Sequence, residues 1–171
     1  QRLVQAPADP PDRATLVLSR FHSLALLRQN WERGRVEHGP FTGGTTLNAG
    51  TLVAGSATFA FGGAGGTAGL LTVNGGSLDA SVAATITNAV SLGATLDFVG
   101  TANLTQNSGA ITLTGSRAIN VAANTLTLNG LISGAGFGVT KSGAGKLILG
   151  GANTFGGGLT LSAGTLVLAN N

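Results

Sequence analysis

The sequence predicts an all-β chain wound as a β-solenoid from about residue 40 onward, and three observations predict it. Glycine supplies 29 of the 171 residues, without the strict three-residue period that would mark collagen. Short Thr/Leu/Val runs are punctuated by Gly, Asn and Ala, which is the grammar of strands and turns. Most decisively, a segment beginning at Phe41 recurs almost unchanged at Phe155, and internal repetition of this kind marks a repeat architecture.

Composition narrows the class further. Charged side chains make up 9% of the chain, against about 25% in an ordinary soluble domain. The apolar 43% is carried by Ala, Leu, Val and Ile, with no Cys, Met or Tyr, so any core is thin and aliphatic. A disordered linker would lack such regular aliphatics. The absence of cysteine suits an oxidising compartment. The formal charge of +3 and pI near 10.7 are unevenly sourced. Residues 1–39 hold six arginines and four acids, whereas the rest of the chain holds only Arg117, Lys141, Lys146, Asp79 and Asp97. Nucleic-acid binding needs clustered cations and stacking aromatics, and the long segment has neither, so no nucleic acid is expected as a partner. No apolar run reaches the roughly 20 residues of a membrane helix.

Residues 1–39 form a first, non-repeat region with three of the four prolines, Trp31, His22 and His38. Pro7, Pro10 and Pro11 favour extended backbone. Val17, Phe21, Leu24, Leu27 and Trp31 recur at three- and four-residue steps, which predicts an amphipathic helix over 13–33, N-capped by Asp12 and stopped at Gly34. Leu16, Leu18 and Leu26 fall off that stripe. The segment is therefore expected to be short and helical or irregular. Two explanations compete for it: a cap over the open solenoid end, which such folds need, or sequence not native to the fold.

Residues 40–171 form the second region. Phe41–Ala54 lies on Phe155–Leu168 without a gap, identical at ten of fourteen positions, and Leu71-Thr-Val-Asn-Gly-Gly-Ser-Leu78 fits the same template. The unit reads as strand, tight corner, strand. Alternation turns Leu161, Leu166 and Leu168 inward and leaves Thr160, Thr165 and Val167 outward. Gly50, Gly76 and Gly164 stand where the chain must bend, and glycine tolerates the positive φ of a sharp corner. A single unit cannot bury its leucines, so stacking a copy about 4.8 Å away is a condition of stability. Corner glycines recur 26 residues apart from Gly50 to Gly76 and 19 apart from Gly145 to Gly164, predicting about six coils.

Lys141-Ser-Gly-Ala-Gly-Lys-Leu-Ile-Leu-Gly-Gly-Ala-Asn-Thr-Phe155, with the Gly-Thr-Leu strand that follows, resembles the autotransporter-associated β-strand repeat, also called the passenger-associated transport repeat. Phe41-Thr-Gly-Gly-Thr-Thr-Leu-Asn-Ala-Gly-Thr-Leu52 and Leu126-Thr-Leu-Asn-Gly-Leu-Ile-Ser-Gly134 share that resemblance, which is diffuse between them. The resemblance implies a right-handed parallel β-helix in a large secreted or surface protein of a Gram-negative-type bacterium, outer-membrane associated. It implies an outer-membrane translocator barrel in the parent chain as partner, with an export signal upstream of Gln1 and barrel strands beyond Asn171. It carries no catalytic residues across, and residues 1–39 depart from its pattern.

No catalytic, cofactor-binding or metal residue is therefore assigned, and the chain is expected not to be an enzyme. Asp79 and Asp97 stand 18 residues apart, close to one coil, and stacking them as a carboxylate pair would suit a glycan-cleaving β-helix. No basic residue, His or third acid accompanies them. Gly75-Gly-Ser-Leu-Asp79 lacks the third glycine of a calcium-binding repeat. His22 and His38 have no partners at ligand spacing. Gly143-Ala-Gly-Lys146 fails as a phosphate loop because Thr140 and Leu147 stand where a glycine and a hydroxyl are needed, and no helix is expected after Gly134-Ala-Gly-Phe-Gly138. Outward Thr46, Thr51, Thr72, Thr160 and Thr165 would suit a flat face for ice or glycans, or a soluble strand surface. The expected function is a structural passenger or stalk supporting export and display of a distal adhesive or effector region. A surface adhesin, or a β-helix that binds or cleaves host or surface glycans, is the alternative.

Overall fold

The computed structural model describes residues 15–18, 43–55, 57–59, 61 and 69–169. Its architecture is a three-faced parallel β-solenoid in which successive strands turn from one face to the next. Strand β1 (Thr15–Leu18) precedes the regular turns. Turn one contains β2 (Thr45–Leu47), β3 (Thr51–Ala54) and β4 (Thr58–Phe59). Turn two contains β5 (Leu71–Val73), β6 (Ser77–Ala80) and β7 (Ala84–Ile86), and turn three β8 (Val90–Leu92), β9 (Leu96–Phe98) and β10 (Leu104–Gln106). Turn four contains β11 (Ile111–Leu113), β12 (Arg117–Val121) and β13 (Thr125–Leu128), and turn five β14 (Ile132–Ser133), β15 (Val139–Ser142) and β16 (Lys146–Leu149). A last partial turn adds β17 (Leu159–Leu161) and β18 (Thr165–Leu168).

Face one stacks β2, β5, β8, β11 and β14; face two stacks β1, β3, β6, β9, β12, β15 and β17; face three stacks β4, β7, β10, β13, β16 and β18. All of these pairings are parallel, the arrangement that successive turns of one winding chain produce. There are about five turns, rather than the six expected from corner spacing. In the last partial turn, face one has no strand. The Ile132 amide donates instead to the Asn153 side-chain oxygen at 2.9 Å, and Thr154 N donates to the Ile132 carbonyl at 2.9 Å. A side chain thus occupies part of the ladder where a strand would run.

The core is a set of aliphatic columns, one residue per turn. Leu52, Leu78, Phe98 and Val121 align on face two, and Leu71, Val90, Ile111 and Ile132 on face one. Leu104, Leu126, Leu147 and Leu166 align on face three. Leu52 is 1% and Leu78 3% exposed, and Leu166 packs against the same cluster. Each fully buried side chain of this kind contributes about 1.5–3 kcal/mol, realised only when the adjacent turn is present.

The corners follow the expected chemistry. Gly50, Gly76 and Gly164 take φ values of 78°, 75° and 73°, the left-handed region that only glycine enters without strain. At the corner containing Gly145 the positive φ falls on Gly143 instead. The corner between faces three and one is built differently. Gly109, Gly130 and Gly151 recur every 21 residues, and a Cβ on Gly130 would lie 1.9 Å from the Gly109 carbonyl oxygen, while one on Gly151 would lie 2.3 Å from that of Gly130. Close approach between stacked backbones, not dihedral freedom, requires glycine there.

The helix expected over 13–33 is corrected where the structure describes it. Thr15–Leu18 forms a strand, paired in parallel with Thr51–Ala54. The tetrapeptide Thr-Leu-Val-Leu is the same as β18, and its alternating β-branched residues suit a strand better than a helix turn. The rest of that segment, including His22, Trp31 and His38, lies outside the described residues, as do Gln1 and the proline-rich start.

Candidate functional site

Face two carries the acids and Arg117, and its strand register decides what those groups can do together. Asp97 aligns with Ser77 and Asn120, whereas Asp79 aligns with Val53. The two aspartates are therefore on adjacent strands but two residues out of register, because the turn from Leu78 to Phe98 is 20 residues long rather than 18. Each carboxylate is engaged locally. Asp79 accepts from the Thr101 amide at 2.9 Å and the Thr101 hydroxyl at 2.6 Å, and Asp97 accepts from the Asn120 side-chain amide at 3.0 Å. These bonds tie each acid to the next turn, the sheet equivalent of a cross-strand pair. Among the described residues no group of three or more His, Cys, Asp or Glu side chains could hold a metal ion.

The glycine-rich segments are corners. Gly143–Lys146 joins face two to face three and leads into β16, while Gly134–Gly138 leads into β15. A strand follows each, so neither has the helix N-terminus that a phosphate site uses.

The threonines considered above are spread over three faces. Thr46 and Thr72 align on face one, Thr51 and Thr160 occupy different columns of face two, and Thr165 is on face three. What the register does assemble is a continuous hydroxyl column on face one: Thr46, Thr72, Ser91, Thr112 and Ser133, one per turn. A second runs through Thr85, Thr105 and Thr127 on face three before Ile148 and Val167 replace it. Near the end of the solenoid a shallow hollow of about 260 Å³ is lined by Ser116, Arg117, Thr140, Thr160 and nearby glycines. Arg117 is already committed, donating from Nε to the Leu92 carbonyl at 3.2 Å and from a terminal nitrogen to the Thr114 hydroxyl at 3.2 Å.

Lys141, Asn88 and Gln106 are buried polar side chains that the sequence reading did not single out. Lys141 is 0% exposed and occupies the inward column between Ile119 and Leu161. Its Nζ donates to the carbonyls of Ser142 at 2.6 Å, Gly143 at 2.8 Å and Ala163 at 3.1 Å, so all three ammonium protons are used. Burial pushes its pKa below the ordinary lysine value. Asn88 closes the connection between turns one and two, accepting from Phe61 N at 2.9 Å and donating to the carbonyls of Phe61 at 3.0 Å and Gly69 at 2.6 Å. Gln106 donates to the Asn88 and Gly109 carbonyls and accepts from Gly130 N at 3.0 Å, joining three turns. A signal for Lys141 does exist in the sequence: once the turns are aligned, it stands in a column of aliphatics.

Asp79, Asp97, Arg117, Lys141, Asn88 and Gln106 each hydrogen-bond to the winding backbone or to a neighbouring side chain. Residues 40–54 and 139–168 match the family model described as passenger-associated transport repeat. No curated protein and no solved structure gives a significant match. The two matched stretches are similar to that repeat and fall at the first and last turns of the β-solenoid.

Proposed function

We propose that this chain, bearing passenger-associated transport repeats, is a structural segment of an autotransporter-type passenger: a rigid spacer exported to a bacterial surface and displaying a distal region. The observation that carries the reading is the unbroken stack of turns, each burying its aliphatic columns only against its neighbours. Such a stack gains stability turn by turn, so that folding outside the membrane would oppose back-sliding of the emerging chain. The implied partner is an outer-membrane translocator barrel of the parent chain, and the segment performs no catalysis.

The test is surface display. The chain is fused between an export signal and a translocator barrel in a Gram-negative host, and exposure is read by protease shaving of intact cells. Deleting residues 111–131, one whole turn, should preserve display, and so should Asp79→Ala with Asp97→Ala. Loss of display on proline substitution at Thr112, which breaks a central ladder, is the expected contrast. If the proline variant is displayed as well as the parent, turn-by-turn folding is not what drives export.

The hydroxyl column of face one favours a second reading, a surface adhesin that contacts glycans. Replacing Thr72 and Thr112 by Lys should then abolish retention on a glycan array while leaving the circular dichroism spectrum unchanged. Release of sugar by the parent chain, lost in the two aspartate variants, would instead support a glycan-cleaving protein.

A further inference from the structure

We propose that Asn74 is a site of non-enzymatic modification, at which the amide nitrogen of Gly75 displaces ammonia from the side chain and water then opens the ring to leave a carboxylate on the corner between faces one and two. The inference rests on a pair of matched dipeptides and is independent of where the chain is displayed.

Asn-Gly occurs at Asn74-Gly75 and at Asn129-Gly130. The pairing matters because asparagine is a labile residue and the nitrogen that attacks it belongs to the following residue, where glycine presents no side chain to hinder the approach. The two sites share their surroundings. Both asparagines are exposed, and each donates its main-chain N–H to the turn before, Asn74 to the Leu47 carbonyl and Asn129 to that of Gln106, both at 2.8 Å. Each side-chain oxygen lies over a glycine of the next turn, 2.4 Å from where a Cβ on Gly93 would stand and 2.3 Å from where one on Gly150 would.

They differ at the attacking atom. Gly130 is buried, and its N–H donates to the Gln106 side-chain oxygen at 3.0 Å. That nitrogen must first give up a buried bond, so its reaction waits on local opening of the turn. Gly75 is only half-buried, and its N–H has no hydrogen-bond partner among the described residues. No bond has to break before it attacks.

At Asn74 the Gly75 nitrogen gives its proton to solvent and bonds to Cγ; the Cγ–Nδ2 bond breaks, and Nδ2 takes up a proton and leaves as ammonia, closing a cyclic imide. Water then adds to one imide carbonyl and its C–N bond breaks. Opening at Cγ gives aspartate, and opening at the main-chain carbonyl gives the β-linked isomer. Either product loses the donor that now holds Asn74 Nδ2 to Asn48 Oδ1 at 3.2 Å. It also adds a negative charge to residues 40–171, where the acids are Asp79 and Asp97.

The experiment holds the full chain in mildly alkaline buffer made with heavy-oxygen water, with and without denaturing urea. Both sites are followed by fragment-resolved mass spectrometry of proteolytic peptides, which reads the exchange of nitrogen for labelled oxygen. In urea the two sites should react at similar rates. In the folded chain Asn74 should react at close to its urea rate and Asn129 at least about tenfold more slowly, the protection that a closed, buried bond confers. Equal rates at the two sites in the folded chain, faster reaction at Asn129, or no reaction at Asn74 over a time in which the urea sample reacts would each overturn the proposal.

Discussion

The ammonium of Lys141 reaches across a turn boundary: it donates at 3.1 Å to the carbonyl of Ala163, twenty-two residues ahead, while holding its own corner through Ser142 and Gly143. A cation in an aliphatic column is costly unless its protons are satisfied, and here its third bond exists only once the last turn has been laid down.

Amine acylation should report that dependence directly. Lys141 and Lys146 are the only lysines in the chain, and Lys146 is exposed. Brief treatment with an acylating reagent should modify Lys146 and spare Lys141, read by peptide mass spectrometry. Truncation after Leu149 should make both react at similar rates. Rapid modification of Lys141 in the full chain would contradict its burial.

The same residue should impose a pH dependence on stability. Its folded pKa lies below the ordinary 10.5, so between those two values the unfolded chain binds more protons than the folded one. Stability should therefore rise with pH through that window, with a slope of at most about 1.4 kcal/mol per pH unit. Denaturant unfolding from pH 8 to 10.5 measures it, and Lys141→Met should flatten the rise relative to the parent.

Gly130→Ala should be severely destabilising, by about 3 kcal/mol or more, because the new methyl has backbone at 1.9 Å rather than a yielding side chain. Gly43→Ala is the matched control. Nothing lies within 4 Å of its added Cβ, so a change within about 0.5 kcal/mol is expected from thermal unfolding of the two variants.

Gln106→Leu should cost about 2–4 kcal/mol despite the apolar neighbours in its column. The change leaves Gly130 N and the Asn88 carbonyl without their side-chain partner, and unmade buried bonds cost more than the added apolar contact returns. An unfolding midpoint equal to the parent's would show that those groups find other partners.

The regular part of this fold is written in residues that repeat. Gly50, Gly76 and Gly164 announced their corners, and Leu52 and Leu78 their inward column, because each recurs with the same neighbours at about one turn's spacing. Thr15–Leu18 was hidden by a competing period: Val17 joins Phe21, Leu24 and Leu27 in a helical stripe, while Leu16 and Leu18, off that stripe, fit strand alternation. The 18-residue spacing of Asp79 and Asp97 does not stack them, because turn length varies and a two-residue difference in period moves a side chain to another column. Asn88 and Gln106 were not legible because polar residue types signal exposure on average, and Lys141 becomes legible only when its turn is aligned with the aliphatic column of Ile119 and Leu161.

The 21-residue spacing of Gly109, Gly130 and Gly151 sets a quantum of length. Excising or duplicating one whole interval returns every later carbonyl to a methyl-free neighbour, whereas a gain or loss of a few residues inside it brings a side chain against backbone. Lineages of such a chain should therefore differ by integral turns at this corner.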